Sequence, residues 1–157
     1  MLTADDHIAI RYLVHRYADA VVHRNVTDWG NCWADDATWD LGGGRLVESK
    51  DAITSLWLKA LGNFAATVQC VTNNDVQPGP KNGTATGRCY ITEWFQKADG
   101  ERGILLAHYD DAYVRVGSDW KFSRRFLQRH YQGAPDLSDP FLSTRPLLDE
   151  RGLHTDV

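Results

Sequence analysis

The sequence predicts an α+β fold, with helices in its first part and a run of antiparallel strands in its second. In the first 23 residues, apolar side chains recur at spacings of three and four, which is typical of an amphipathic helix. After residue 64, runs rich in Val, Ile, Tyr and Phe are separated by turns, as in a meander of strands. Because the two kinds of element are segregated along the chain, we expect helices covering one face of a curved sheet.

The first helix is predicted to end near His23. Thr3 or Asp5 can cap its start, where acidic residues also interact favourably with the helix dipole. Asp35 and Asp36 are expected to turn the chain. The other elements predicted before the main sheet are a short helix at 26–34, a strand at 37–41, a glycine turn at 42–44, a possible strand at 45–47 and a helix at 52–61.

The sheet is predicted from strands at 65–76 and 84–96 and from a long hairpin at 103–131 with its turn at 117–119. Antiparallel pairing around that turn places Tyr113 opposite Ser123, Asp111 opposite Arg125 and Tyr109 opposite Leu127. A face that carries a carboxylate and a guanidinium beside these apolar groups is typical of a pocket wall. By alternation along the strands, the residues that share this face are Ala107, Tyr109, Asp111, Arg125, Leu127 and Arg129.

Composition limits the classes of partner. The chain has 157 residues and a net charge of −4, without a block of Lys or Arg, so neither nucleic acid nor an anionic membrane is expected as a partner. We predict one folded domain over residues 1–134, followed by a proline-containing tail over 135–157 that wraps over the surface. No signal sequence or long apolar run is visible, which favours a cytoplasmic protein.

Metal and cofactor motifs are missing from the sequence. The three cysteines are far apart, and no His, Asp or Glu cluster has the spacing of metal ligands. The glycines at 42–44 lack the Lys and Ser or Thr of a phosphate-binding loop, and no dinucleotide fingerprint is present. We therefore expect no metal and no cofactor.

The segments YADAVVHRN, WADDATWDLGGG and DDAYVRVGSDWKFSRR, together with the order of elements, resemble the SnoaL-like branch of the nuclear transport factor 2-like superfamily. The resemblance covers roughly residues 5–131. It implies a cone-shaped barrel in which a strongly bent sheet wraps around the first helix and leaves an internal cavity. The superfamily includes dehydratases, dehydrochlorinases, isomerases, polyketide cyclases and lyases, and also members that only bind, so the fold alone fixes no reaction.

The layout is most similar to the scytalone dehydratase and hexachlorocyclohexane dehydrochlorinase members. Their chemistry rests on an Asp late in the first helix and a His on the first meander strand, where the His abstracts a proton and the Asp stabilises the imidazolium. These positions fall on Val22 and Gln69 here, so both halves of the dyad are missing. Any chemistry must use other groups.

Other positions that match the family keep reactive side chains. The resemblance implies pocket roles for Arg125 with its neighbour Asp111, for Tyr109 and for Tyr17. Alternation along the strand at 84–96 independently points Glu93 inward, together with Cys89, Ile91 and Phe95. Because burial in an apolar cone raises the pKa of a carboxyl group, Glu93 is a candidate general base.

Each of these residues also has a structural interpretation. Asp111 and Arg125 form either an anion clamp or a plain ion pair, and the two tyrosines are either hydrogen-bond donors to substrate or cavity wall. Gln69 can bind but cannot take a proton at neutral pH. His23 would face inward only if the first helix were rotated, and His108 and His130 are expected on the opposite face of the sheet.

From these observations we predict a cofactor-independent lyase that acts by proton abstraction and elimination on a small hydroxylated aromatic or polycyclic compound. An isomerase or cyclase that uses the same pocket, and a non-catalytic binding protein, are the alternatives. A homodimer or homotrimer is expected. The predicted catalytic residues are Tyr17, Glu93, Tyr109, Asp111, Arg125 and His23, and the predicted substrate-binding residues are Gln69, Trp39, Leu41, Cys89, Ile91, Phe95, Leu127 and Arg129.

Overall fold

The structure is a computed structural model that describes residues 1–142. In this part of the chain, three helices and six strands follow one another as the α+β prediction requires. The helices are α1 (Ala4–His23), α2 (Val26–Asn31) and α3 (Lys50–Leu61), and the strands are β1 (Trp33–Asp40), β2 (Leu46–Glu48), β3 (Phe64–Pro78), β4 (Thr84–Lys97), β5 (Arg102–Val116) and β6 (Asp119–Gly133).

The six strands form one curved sheet in the order β2-β1-β6-β5-β4-β3. Neighbouring strands are antiparallel except β1 and β6, which pair in parallel. Helix α1 packs against the inner face of this sheet, and α3 packs against β1. The predicted α+β cone around the N-terminal helix is confirmed.

Helix α1 forms where the sequence predicts it because its start and its end are both defined. Thr3 caps the first turn: its hydroxyl accepts a hydrogen bond from Asp6 N–H, while the Asp6 carboxylate accepts one from Thr3 N–H at 2.9 Å. Arg24 ends the helix in the left-handed conformation. The buried stripe of α1 includes Leu13 and Tyr17.

The region after α1 differs from the prediction. Helix α2 ends at Asn31 instead of continuing to residue 34, and Trp33 already belongs to strand β1. The reason is tertiary pairing: Phe122 N–H of β6 donates to the Cys32 carbonyl, and Trp33 is buried beside Phe122. Asp35 and Asp36, expected in a turn, lie exposed within β1 where the β1–β6 register shifts.

The hairpin register is confirmed at its centre. Asp111 pairs with Arg125, Tyr109 with Leu127 and Ala107 with Arg129, so the polar face predicted from alternation exists. Nearer the turn the prediction is wrong, because Tyr113 pairs with Phe122 and not with Ser123. A β-bulge beside Ala112 adds one residue to β6 and shifts the register from that point on.

The chain after β6 turns back along the outside of the sheet. Tyr131 is fully buried there, and its hydroxyl donates to the Ala134 carbonyl at 2.8 Å. Leu142 N–H reaches the His130 carbonyl, so the described part of the tail stays close to β6. Residues 143–157 of the predicted tail lie outside the described residues. No helix within residues 1–142 is long and apolar enough to span a membrane.

Candidate functional site

A cavity of about 160 Å³ lies between helices α1 and α3 and the inner face of the sheet. Aromatic rings form much of its wall, and a carboxyl, a carboxamide, a threonine and two phenol groups supply its polar atoms. The lining residues are Tyr17, Val21, Trp39, Trp57, Ala60, Leu61, Phe64, Thr67, Gln69, Glu93, Leu105, Tyr109 and Leu127.

Glu93 and Gln69 are directly opposite one another on strands β4 and β3. The amide nitrogen of Gln69 donates to Glu93 Oε2 at 2.8 Å. Burial raises the pKa of Glu93 above its ordinary value, and the hydrogen bond from Gln69 only partly opposes this effect. Gln69 therefore orients the Glu93 carboxyl group.

Tyr17 of α1 and Tyr109 of β5 meet across the cavity with their rings edge to face at 6.2 Å. Both side chains are almost fully buried. Burial raises the pKa of Tyr17 to about 12 and that of Tyr109 well above its ordinary value. Both phenols therefore stay protonated near neutral pH and act as hydrogen-bond donors.

Arg125 and Asp111 form a buried ion pair behind the two tyrosines. Arg125 Nε donates to Asp111 Oδ1 at 2.8 Å, and a second guanidinium nitrogen donates to Oδ2 at 3.1 Å. The guanidinium is covered by the rings of Tyr109, Tyr17 and Phe122, whose centroids lie 3.8, 4.3 and 4.1 Å from it. Neither Arg125 nor Asp111 lines the cavity, so this arrangement favours the structural interpretation of the pair over the anion clamp.

The predicted site residues fall into two groups. Those that the structure brings to the cavity are Tyr17, Trp39, Gln69, Glu93, Tyr109 and Leu127. The others are packed in the core or lie elsewhere: Cys89, Ile91 and Phe95 are buried without lining the cavity, and Leu41 and Arg129 are half-buried outside it. Burial raises the pKa of the Cys89 thiol to about 12, which leaves it unreactive as a nucleophile.

His23 does not turn inward. Its side chain is 70% exposed and lies 3.6 Å from Asp19, one helical turn earlier. The neighbouring Val21 lines the cavity instead, while Val22 is half-buried. His108 and His130 lie on the opposite face of the sheet, as predicted, with Nδ1 of one 2.7 Å from Nε2 of the other.

Sequence reasoning missed the contribution of α3 and the start of β3. Trp57, Ala60 and Leu61 close one side of the cavity, and Phe64 and Thr67 extend it. Trp57 is fixed by stacking on Trp29 at 4.3 Å with nearly parallel rings. The spacing of apolar residues in 53–61 indicated which face of this helix points inward. It did not indicate that this face borders a cavity.

Metal ligation has no basis in the described part of the chain. Within residues 1–142, no three side chains of His, Cys, Asp or Glu come together in an arrangement that could hold a metal ion. The cavity itself holds one carboxyl group and no imidazole or thiol among these residues.

Comparison with solved structures supports the fold. A candidate scytalone dehydratase from Novosphingobium aromaticivorans matches with a TM-score of 0.76 and 19% identity, over 82% of this chain and 86% of that one. A candidate aromatic ring hydroxylase from the same organism matches with a TM-score of 0.78 and 21% identity, over 85% and 95%. The hexachlorocyclohexane dehydrochlorinase LinA-type3 from Novosphingobium barchaimii matches with a TM-score of 0.76 and 18% identity, over 89% of this chain and 96% of that one.

No curated protein matches the chain. At the sequence level, a family model described as a SnoaL-like domain matches residues 3–126, which is most of the chain. The same residues build α1, nearly all of the sheet and every residue of the cavity lining except Leu127. The chain therefore belongs to the family of SnoaL-like domains.

Proposed function

We propose that the protein is a lyase that eliminates a small leaving group from a hydroxylated aromatic compound without a cofactor. The observation that carries this proposal is Glu93, a half-buried carboxyl group that lines an aromatic cavity and is held by Gln69. A carboxylate with a raised pKa is a stronger base than one in water, so its basicity suits proton abstraction near neutral pH.

The residues of the cavity support a two-part reaction. Glu93 takes a proton from a substrate carbon, the electrons of that C–H bond form a double bond, and the bond to the leaving group on the next carbon breaks. When the leaving group is hydroxyl, the Tyr17 phenol donates a proton to it and water departs. Glu93 then returns its proton to Tyr17, which restores both groups.

The tyrosine pair suits the second part of this reaction. The edge-to-face contact between Tyr17 and Tyr109 holds both side chains at the cavity wall. Preorganised donors of this kind stabilise negative charge that develops on a substrate oxygen. Gln69 supports the first part because it holds the Glu93 carboxyl group in one orientation.

The test is an activity screen followed by one substitution. Purified protein is incubated with hydroxylated aromatics, and mass spectrometry detects products that have lost water, halide or a small carbonyl fragment. For a substrate found in this way, Glu93→Gln should lower kcat by about 100-fold or more. The control Cys70→Ser changes an exposed side chain next to Gln69 on the other face of β3 and should leave kcat unchanged. A folded Glu93→Gln protein with full activity would remove Glu93 from the mechanism.

Binding without catalysis is the second candidate function. It is favoured by Val22 and Gln69, which occupy the positions that the resemblance assigns to the acid–base dyad of the dehydratase and dehydrochlorinase members. Neither side chain can accept a proton at neutral pH. In that case, compounds that raise the melting temperature should be recovered with unchanged mass.

The predictions of a homodimer or homotrimer, of a cytoplasmic location and of a domain boundary near residue 134 stay predictions.

A further inference from the structure

The Gln69 side chain has one hydrogen-bonding atom in use and one without a partner. Its amide nitrogen donates to Glu93, but its buried Oε1 accepts no hydrogen bond within residues 1–142. The residue is 7% exposed and lines the cavity. A buried acceptor without a donor costs free energy, and because this oxygen has almost no surface open to the void, a ligand donor recovers that free energy when the Gln69 amide shifts toward the cavity.

The charges around the cavity limit the charge of that ligand. Among the described lining residues, Glu93 is the one carboxyl group, and no Lys, Arg or His lines the void. Arg125 is near, but Asp111 neutralises it and aromatic rings cover it. A carboxylate or phenolate ligand would therefore enter an apolar site beside Glu93 with no cation to stabilise it.

The size of the cavity limits the ring system. Its volume of about 160 Å³ is close to that of an apolar protein cavity that holds one benzene molecule, which is about 150 Å³. Trp39, Trp57 and Phe64 provide flat apolar walls for such a ring. A fused polycyclic compound would require the cavity to expand or part of the ligand to remain outside.

We propose that the ligand of this cavity is an uncharged single-ring aromatic compound with a ring hydroxyl group, and that Gln69 selects it by accepting the hydrogen bond of that hydroxyl at Oε1. Gln69 thereby acts as a specificity-determining residue and as a positioning residue for Glu93. The inference rests on the proposed function for its choice of cavity, and it narrows the substrate class from hydroxylated aromatics in general to neutral monocyclic phenols.

The test measures binding and needs no turnover. Calorimetric titration of the wild-type chain with phenol, toluene and benzoate compares ligands of one ring that carry a hydroxyl donor, no donor and a negative charge. We expect the Kd of phenol to be about 10-fold below that of toluene, as one hydrogen bond to a buried acceptor predicts, and no measurable binding of benzoate.

Two variants assign the preference to Gln69. Gln69→Met keeps the length of the side chain but removes the acceptor, so phenol and toluene should then bind with similar Kd. Cys70→Ser, on the other face of the strand, should keep the wild-type preference. Melting temperatures without ligand show whether each variant is folded, and the wild-type comparison of the three ligands does not depend on any variant.

Three results would overturn the inference: equal binding of toluene and phenol by the wild type, tighter binding of benzoate, or an unchanged phenol preference in folded Gln69→Met. These outcomes are separate from those of the lyase test. If the wild type binds phenol no more tightly than toluene while Glu93→Gln abolishes activity, only the role of Gln69 is refuted. If the wild type prefers phenol but no hydroxylated aromatic in the activity screen gives a product of lower mass, only the lyase is refuted.

Discussion

A carboxyl group in an apolar cavity responds to pH differently from one in water, and Glu93 is such a group. Burial raises its pKa above the ordinary value of 4.5. Between pH 4.5 and the raised pKa, the folded state therefore holds a proton on Glu93 that the unfolded state has released. The contribution of Glu93 to the free energy of unfolding is therefore complete below pH 4.5, and it disappears as pH rises through the raised pKa.

Replacing Glu93 by Gln should remove this decline of the free energy of unfolding with rising pH. We expect the stability of the wild type to decline relative to that of Glu93→Gln as pH rises from 4.5, measured by urea denaturation at a series of pH values. The exposed Glu48→Gln variant serves as the control and should follow the wild type. Identical slopes for wild type and Glu93→Gln would show that the carboxyl group is not desolvated.

The Asp111–Arg125 pair is the second residue-scale prediction. Asp111→Asn keeps the shape of the side chain but leaves the buried Arg125 charge uncompensated, which should cost about 3–5 kcal/mol in the free energy of unfolding. The control Arg124→Gln removes a half-exposed partner of Asp40 at 3.5 Å and should cost less than about 1 kcal/mol. Similar small losses in both variants would contradict the buried-pair interpretation.

At the scale of the elements, alternation along the strands predicted much of the site. It assigned Glu93, Tyr109 and Leu127 to the inner face, because a side-chain period of two follows directly from strand geometry. It failed where the register depends on a bulge, as at Tyr113, and where a helix end depends on tertiary pairing, as at Trp33. Neither event has a local signal in the sequence.

Strand packing at Gly87 leads to the third prediction. A Cβ atom at this position of β4 would overlap the carbonyl oxygen of Asp75 on β3, so Gly87→Ala requires the two backbones to separate. We expect a loss of about 1–3 kcal/mol in urea denaturation. At Gly62, which ends α3, a Cβ would lie at an ordinary 3.5 Å from its nearest neighbour, and Gly62→Ala should be close to neutral. Equal effects at both positions would argue against close packing of β3 on β4.

On the scale of the whole molecule, the cavity forms where elements that are far apart in the sequence meet. Tyr17 comes from α1, Trp57 from α3, Gln69 and Glu93 from the strands at one edge, and Tyr109 from the centre of the sheet. The sequence predicted that several of these side chains face inward. It could not show that Arg125 lies behind the tyrosines and outside the void, because that depends on how closely α1 packs against the sheet.

Asp6 connects the start of α1 to the end of the sheet where β5 and β6 meet. Its carboxylate accepts hydrogen bonds from Thr3 N–H and from the indole of Trp120 at 3.2 Å, and it pairs with Arg115. The Thr3 hydrogen bond above all, together with Trp120 and Arg115, lowers the pKa of Asp6 to about 2. Because the folded-state pKa lies below the ordinary value of 3.8, Asp6 stabilises the fold above that pH, and its contribution is lost as pH falls towards 2.

Asp6→Asn should therefore lower the melting temperature at pH 7 and flatten its dependence on acid between about pH 5 and about pH 2. The exposed neighbour Asp5 lies in the same first turn of α1 without these partners, so Asp5→Asn measures the contribution of the helix dipole alone. We expect the Asp6 variant to lose more stability than the Asp5 variant at pH 7 and the difference to shrink as the solution is acidified. A difference that stays constant down to pH 2 would mean that the Asp6 contacts, and not its charge, hold the first helix to the β5–β6 end of the sheet.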